Sequence, residues 1–171
     1  MNYIYIGKIV NTHGIKGELR IISDFPYKDQ VFKSNTKIYI GKKKELEIIE
    51  KYRFHKIFDM IVLKGHYDIN EVLPYKGKDV YIDREETKIE GMLEEDYIGL
   101  NVYSNNVLKG IIIGILKGVK QDNLIIENNN KKYYVPKVDA FIKKIDLENK
   151  TIEIEEIEGL FDENWHFNSF S

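Results

Sequence analysis

The chain has 171 residues, of which 43% are hydrophobic and 32% charged, values typical of a globular protein with enough apolar side chains for a core. It contains no cysteine, which excludes disulfides, thiolate zinc sites and cysteine nucleophiles. The sequence has no run of about 18 apolar residues, and its start lacks the basic segment of a secretory signal, so we expect a cytoplasmic protein without a membrane span.

Basic and acidic residues are unevenly distributed, although the net charge is only −2. Residues 1–88 carry 17 Lys and Arg against 13 Asp and Glu, whereas residues 89–171 carry 9 against 15. Net charges of opposite sign indicate that one half faces an anionic partner and the other half a basic one. Alternatively, differences of this size arise by chance.

Short apolar runs that alternate with polar residues predict strands throughout the first half of the chain, because successive side chains of a strand lie on opposite faces. Tyr, Ile, Val and Phe dominate these runs. Strands are predicted at residues 3–10, 18–23, 37–40, 46–54, 59–64 and 79–83. A set of short strands of this kind favours a small closed barrel.

Two short helical turns are predicted between these strands, at residues 27–32 and 68–73. Asp68 is a candidate N-cap, because its carboxylate can accept a hydrogen bond from an amide of the first turn. Glu71 follows three residues later as the candidate capping-box partner. Pro74 is expected to end this helix.

The polar stretch at residues 84–96, rich in Asp and Glu, has no clear period and indicates a linker. We expect a first domain at residues 1–88, a linker at residues 89–96 and a second domain at residues 97–171. Strands are predicted in the second domain at residues 99–103, 108–116, 123–127, 131–135, 142–146 and 150–155. Asn105-Asn106, Asn128-Asn129-Asn130 and Glu148-Asn149 separate several of these runs, which indicates a meander of tight hairpins.

The predicted fold is therefore all-β, with two small β-barrels joined by a short acidic linker and one or two short helices. Residues 159–171 are apolar in places but have no period. This tail fits either a disordered end or a segment that docks on a neighbouring surface.

No motif for catalysis or metal binding is recognisable in the sequence. The four histidines, at positions 13, 55, 66 and 166, lack the spacing of metal ligands. Nucleophile elbows, Walker A loops, dinucleotide-binding glycine motifs and EF-hand loops are absent. We therefore expect a binding protein without a metal or cofactor rather than an enzyme.

The first predicted hairpin, at residues 6–20, combines glycines with basic side chains: Gly7, Gly14 and Gly17 with Lys8, Lys16 and Arg20. A glycine-rich basic loop can bring its backbone close to phosphate groups. Alternatively, the glycines only permit a tight barrel corner and the lysines are solvated. His13 fits a polar loop residue, a stacking partner for a base, or a cap.

A second basic segment, Lys42-Lys43-Lys44, lies in a predicted hairpin turn. Such a run is usually a solubilising turn. Together with Lys51, Arg53 and Lys56 on the following strand, it could extend a basic face for RNA. The aromatic signature of RRM domains is absent from the sequence.

The order of these motifs resembles that of the ribosome maturation factor RimM family. The resemblance covers residues 4–161 and is most specific in the Ile-Gly-Lys-Ile-Val segment at residues 6–10 and the His-Gly-Ile-Lys-Gly-Glu-Leu-Arg segment at residues 13–20. The second half resembles a PRC-barrel, with the Tyr-Ile-Gly-Leu segment at residues 97–100, Val135-Pro136 and the Ile-Glu-Gly-Leu segment at residues 157–160.

The resemblance implies a factor that assists maturation of the head of the small ribosomal subunit. Its C-terminal barrel would bind small-subunit ribosomal protein nineteen, and its N-terminal barrel would face rRNA or a nearby ribosomal surface. The expected residues for rRNA or ribosome binding are His13, Lys16 and Arg20. Those expected to contact the ribosomal protein are Tyr97, Leu100, Pro136, Val138 and Phe141, and alternatively most of these five belong to the core.

One position departs from the family pattern. The family often has two tyrosines just before the Asp-Leu-Ile-Gly segment, where this chain has Met92 and Leu93. These two residues can fill an apolar pocket of a partner. Alternatively, both pack the linker onto the barrel.

The expected mechanism is binding without catalysis, in which a monomer captures the immature small subunit and favours its competent conformation. An RNA-modifying or processing enzyme would need a base, a nucleophile or a cofactor pocket. A PRC-barrel adaptor acting outside the ribosome is the remaining alternative, although such an adaptor would not need the first hairpin.

Overall fold

The computed structural model describes residues 1–155, which form two units divided between Glu90 and Gly91. Both units are built mainly from antiparallel β-structure, so the predicted all-β class is confirmed. The apolar tail predicted at residues 159–171 lies outside the described residues. None of the helices within residues 1–155 is long and apolar enough to cross a membrane.

The first unit is a closed barrel, as predicted, with the strand order β1-β2-β5-β4-β3-β6. Its strands are β1 (Tyr3–His13), β2 (Glu18–Ile22), β3 (Lys37–Ile40), β4 (Glu45–His55), β5 (Phe58–Leu63) and β6 (Asp79–Asp83). Aliphatic side chains from all these strands fill the barrel, among them the fully buried Ile6, Leu19, Ile38, Ile49, Ile61 and Ile82. Because side chains alternate between faces, the remaining residues of each strand form an outer surface.

Bulges lengthen two of these strands beyond their predicted ends. In β1 the register with β2 shifts between Ile9 and Asn11, and in β4 the register with β5 shifts between Ile49 and Lys51. A bulge inserts one extra residue into a strand and increases its local twist. After the bulge, apolar and polar residues no longer alternate in the same order, although the strand continues. The two hairpins β1–β2 and β4–β5 are therefore longer than the sequence pattern indicated.

Two short helices accompany the barrel: α1 (Lys28–Val31) and α2 (Ile69–Val72). Asp68 caps α2 as predicted, with its carboxylate accepting from the Asn70 amide at 2.8 Å. The expected ending at Pro74 is corrected, because a 3-10 turn (Leu73–Tyr75) follows α2 directly and contains this proline. Proline is tolerated in the first turn of a helix, where its missing N–H has no partner to lose.

The second unit contains a six-stranded sheet with the order β10-β9-β8-β7-β12-β11. Its strands are β7 (Asn101–Ser104), β8 (Val107–Leu116), β9 (Asn123–Asn128), β10 (Lys131–Pro136), β11 (Ile142–Asp146) and β12 (Thr151–Ile154). The predicted meander holds for β7 to β10, but β12 pairs with β7 in parallel. The simple meander was therefore wrong at the last hairpin, which joins the sheet on the other side of β7.

The hairpin turns of the second unit use asparagine as predicted. Asn105, Asn106, Asn129 and Asn130 all have positive φ, between 48° and 67°. Asparagine tolerates this region better than other residues with a Cβ, and two successive positive φ values match the twist of a tight β-hairpin.

The chain that enters the second unit is folded, unlike the predicted linker at residues 89–96. It contains helix α3 (Glu94–Tyr97), whose Asp96 carboxylate accepts from the Leu93 amide at 2.8 Å. Leu93 is buried, and Met92 packs against the core of the second unit. The structure thus supports the alternative in which these two residues pack onto the barrel.

Candidate functional site

The first hairpin of the barrel is held in place by contacts of its glycines. Gly17 has φ +87°, and a Cβ at this position would lie 2.5 Å from the carbonyl oxygen of His66. A Cβ on Gly7 would lie 2.8 Å from the side chain of Ile21. The carbonyl of Ile15 also accepts from the Ile69 amide at 2.9 Å. Both glycines are therefore required by close packing, which fixes the loop against the start of α2.

Two of the three predicted RNA-binding residues of this hairpin touch each other. A terminal nitrogen (Nη2) of Arg20 lies 2.6 Å from His13 Nδ1. Because guanidinium only donates, Nδ1 accepts and the proton of a neutral His13 resides on Nε2. The Arg20 guanidinium also lies over the Phe58 ring, 5.4 Å from its centroid. Lys16 is exposed in the turn itself.

A carboxylate and a second arginine complete this group. Arg53 on β4 donates two hydrogen bonds to the Glu18 carboxylate, at 2.8 and 2.7 Å. This pairing holds the pKa of Glu18 below its ordinary value, and the nearby His13 and His55 act in the same direction. The rings of His13 and His55 lie 6.0 Å apart. The two long hairpins β1–β2 and β4–β5 bring residues of four strands together.

We call this group the basic hairpin face; its members are His13, Glu18, Arg20, Arg53, His55 and Phe58. Glu18 is its single carboxylate and is engaged by Arg53. Arg20 and the two imidazoles therefore give the surface a capacity for anions that Glu18 does not cancel. Arg53 was expected as part of a wider basic surface, whereas His55 and Phe58 were not identified from the sequence.

The three-lysine turn does not extend this face. Lys44 lies over the Tyr81 ring, 4.2 Å from its centroid, next to β1 and β6. Arg53 lies nine positions further along β4, a separation of roughly 30 Å at about 3.3 Å per residue. The wider basic surface expected from the sequence is thus divided between two ends of one strand.

The five residues expected to contact a ribosomal protein are mostly core residues. Tyr97 and Leu100 are only 6% and 3% exposed and belong to the central cluster of the second unit, which corrects their assignment to a contact surface. Pro136 is also buried, and Phe141 packs against this core. Side chains with so little exposed surface hold the sheet together rather than meet a partner.

A different part of the second unit presents apolar side chains to solvent. Leu108, Ile111 and Ile113 on β8 are 52%, 40% and 40% exposed. Register places Tyr103 opposite Leu108, and Gly114 opposite Ile125 on the next strand. We call this group the apolar sheet face; its members are Tyr103, Leu108, Ile111, Ile113 and Ile125.

The apolar sheet face is the outer side of a sheet whose inner side is already packed. Val102, Ile112, Leu124 and Ile126 alternate with its members and are almost fully buried. An apolar outer face of this kind marks an interaction surface in many proteins. The sequence contained an indication of this exposed apolar face. In a strand with one solvated face apolar and polar residues alternate, whereas β8 has three successive isoleucines.

Residues 1–155 contain no group of three or more His, Asp or Glu side chains arranged to hold a metal ion. The features that distinguish the described part of the chain are thus two exposed surfaces, one on each unit.

Comparison with known proteins gives matches over both units. A family model described as the RimM N-terminal domain matches residues 4–87, and one described as the RimM PRC barrel domain matches residues 94–160. The ribosome maturation factor RimM of Finegoldia magna is 38% identical over 94% of this chain and 100% of its own length. The ribosome maturation factor RimM of Ligilactobacillus salivarius is 40% identical over 94% and 99%.

A solution structure of the N-terminal domain of RimM from Thermus thermophilus aligns with a TM-score of 0.45 and 19% identity. The alignment covers 53% of this chain and 98% of that domain.

Proposed function

Because this chain belongs to the RimM family, we propose that it is a ribosome maturation factor that acts on the head of the immature small ribosomal subunit. In this role it makes and breaks no covalent bond. It binds an assembly intermediate in the cytoplasm, as a monomer, and favours the conformation that it binds most tightly.

The observation that carries this proposal is the apolar sheet face. A partner that covers its exposed Leu108, Ile111 and Ile113 removes these side chains from water, which favours binding. Residues 89–171 carry a net charge of −6, which suits a basic partner. We assign this face to small-subunit ribosomal protein nineteen, and of the five residues expected from the sequence only the partly exposed Val138 and Phe141 keep side-chain surface that a partner can reach.

The basic hairpin face is assigned to rRNA. His13 and Arg20 lie together on it, and Lys16 extends from the adjoining turn. Contacts of this type bind phosphate groups and weaken as salt concentration rises. The two units thus bind two chemically different components of the same particle.

Co-sedimentation of the full chain with immature and mature small subunits tests the proposal, together with calorimetric titration of purified ribosomal protein nineteen into the full chain. We expect preferential binding to immature particles and direct binding of the ribosomal protein. A chain that binds neither particle nor protein would instead fit an adaptor acting outside the ribosome.

The rRNA assignment is tested by replacing His13, Lys16 and Arg20 with alanine together. We expect weaker binding to immature particles and a smaller dependence of this binding on salt concentration. The matched control replaces Lys42 and Lys43, which lie in the remote turn. If both variants bind like the original chain, the basic hairpin face does not contact rRNA.

A further inference from the structure

The β4–β5 hairpin ends in a tip whose apolar side chains belong to no core. Phe54 and Ile57 at this tip are 59% and 69% exposed. Between them Lys56 adopts φ +58°, a region that residues with a Cβ rarely occupy. A tight hairpin turn requires a positive φ, so this value belongs to the turn itself, whereas exposed large apolar side chains at one place are typical of a contact site, because folding gains nothing from leaving them in water.

Two aromatic rings occupy the same face of β4 at this tip. Tyr52 and Phe54 are separated by one residue, so both side chains lie on one side of the strand, roughly 7 Å apart along it. Both are exposed to solvent. This spacing is about twice the thickness of an aromatic ring, which leaves room for a planar group against each ring.

The Tyr52 ring is held in place by two neighbouring side chains. It stacks on Phe32, with centroids 6.0 Å apart and planes 15° from parallel. Its hydroxyl donates to the Asp59 carboxylate at 2.7 Å. Asp59 is fully buried and also pairs with Lys28 Nζ at 2.9 Å, and this ammonium lies 5.7 Å from the Phe54 ring centroid. The tip therefore presents preorganised aromatic surface next to a bound cation.

The opposite face of the same strand carries two cations. Lys51 and Arg53 alternate with the two rings, and the His55 imidazole follows them. The two acidic groups near the tip, Glu18 and Asp59, are engaged by Arg53 and Lys28. Aromatic rings next to cations match a polynucleotide, in which planar bases project from a backbone that carries the negatively charged phosphates.

We propose that the tip of the β4–β5 hairpin binds unpaired nucleotides of rRNA by stacking their bases on Phe54 and Tyr52. This inference rests on the proposed function, because it names the form of RNA that the first unit recognises. A paired base has both faces covered by its neighbours in the helix and cannot stack on these rings. The tip thus selects single-stranded segments, which are more abundant in an immature particle.

The proposal is tested with the full chain and a single-stranded RNA of about ten nucleotides that carries one central 2-aminopurine. A duplex of the same sequence serves as the competing ligand form. Binding is followed at low salt by fluorescence anisotropy, and stacking by quenching of 2-aminopurine. We expect tighter binding of the single strand and quenching on binding.

Phe54→Leu keeps the apolar bulk of the side chain and removes the aromatic face. We expect this variant to lose about tenfold in affinity for the single strand and to lose the quenching. Phe54→Trp should retain both. The matched control is Tyr5→Leu, which removes an exposed ring on β1.

Equal affinity for single strand and duplex, no detectable binding, or identical behaviour of the Phe54→Leu and Tyr5→Leu variants would overturn the proposal. If Phe54→Leu weakens association with immature subunits without changing oligonucleotide binding, the tip contacts protein and the proposal is also wrong. Association of the original chain with immature subunits is measured separately. Its absence would contradict the proposed function itself.

Discussion

Replacement of Ile111 by charged residues of either sign distinguishes a binding surface from a structural one. Ile111 lies at the centre of the apolar sheet face and pairs with Asn101 on one side and Glu127 on the other. In the free protein, Ile111→Lys places a cation opposite Glu127, whereas Ile111→Glu places two carboxylates opposite each other. Cross-strand pairs of this kind change stability by roughly 0.2–1 kcal/mol, so the lysine variant should be the more stable.

Binding to ribosomal protein nineteen should show the reverse order. Full burial of an isoleucine side chain contributes about 1.5–3 kcal/mol, and Ile111 is 40% exposed, so its covering by a partner contributes about 1 kcal/mol. Either charged variant loses this contribution, about fivefold in Kd. Ile111→Lys adds repulsion from a basic partner and should lose about 2 kcal/mol in total, whereas Ile111→Glu should stay near fivefold.

Isothermal titration calorimetry with the ribosomal protein measures the affinities, and thermal unfolding measures the stabilities. Val119→Lys is the matched control, because Val119 is fully exposed in the loop after β8. If Ile111→Lys binds like the original chain, the apolar sheet face is not the contact surface. If Ile111→Glu is fully folded at the assay temperature and is still the weaker binder, the assignment to a basic protein is wrong.

Three further predictions concern the barrel. Lys28→Met leaves the buried Asp59 carboxylate without its cation and should lower the free energy of unfolding, measured by urea denaturation, by about 2 kcal/mol. This value is smaller than for a fully buried pair because the Lys28 side chain is one third exposed. Asp59→Asn should cost less, since Lys28 can then reach water. Gly17→Ala should destabilise the fold by about 2–3 kcal/mol because its Cβ meets the His66 carbonyl. Gly14→Ala has open space around its Cβ and should cost only about 1 kcal/mol. Similar melting temperatures of the two variants would contradict the predicted difference. Arg53 lowers the folded-state pKa of Glu18 below its ordinary 4.5, so this pair stabilises the fold above that pH and loses its contribution as the pH falls through the lowered pKa. The difference in unfolding free energy between the original chain and Glu18→Gln should therefore shrink in acid. A difference that does not depend on pH would refute the stabilising role of the Arg53–Glu18 pair.

The fold was largely predictable because it follows from local patterns. Alternation of apolar and polar residues located all twelve strands of residues 1–155, and asparagine pairs located two of the hairpin turns. The parallel pairing of β12 with β7 was not predictable, since alternation defines a strand but not its neighbour. Helix α3 was missed because its N-cap is Leu93, so neither a capping residue nor a proline marks its start.

The candidate surfaces were predictable only in part. The first hairpin was identified through its glycines and basic residues, and in the structure His13 and Arg20 of this hairpin contact each other. His55 and Phe58 join them only through the twist of two long hairpins, which no local pattern encodes. In the second unit, Tyr97 and Leu100 were expected to contact a partner because they lie in a segment that resembles the family. Both are buried, since α3 and the residues before β7 pack onto the core, and the sequence does not show this packing.

Placing the two proposed surfaces on separate units has a consequence for how the factor would recognise immaturity. Each surface is small, and single contacts of this size bind weakly. When both targets lie within reach of one chain, the second contact forms at a high effective concentration, and the combined affinity exceeds either alone by roughly 10²–10⁴. Maturation that separates or covers one target would remove this gain at once. Combining Ile111→Lys with alanine at His13 should therefore cost less on particles than the sum of the two single effects, because each change alone already lowers the fraction of chains that are bound at both sites.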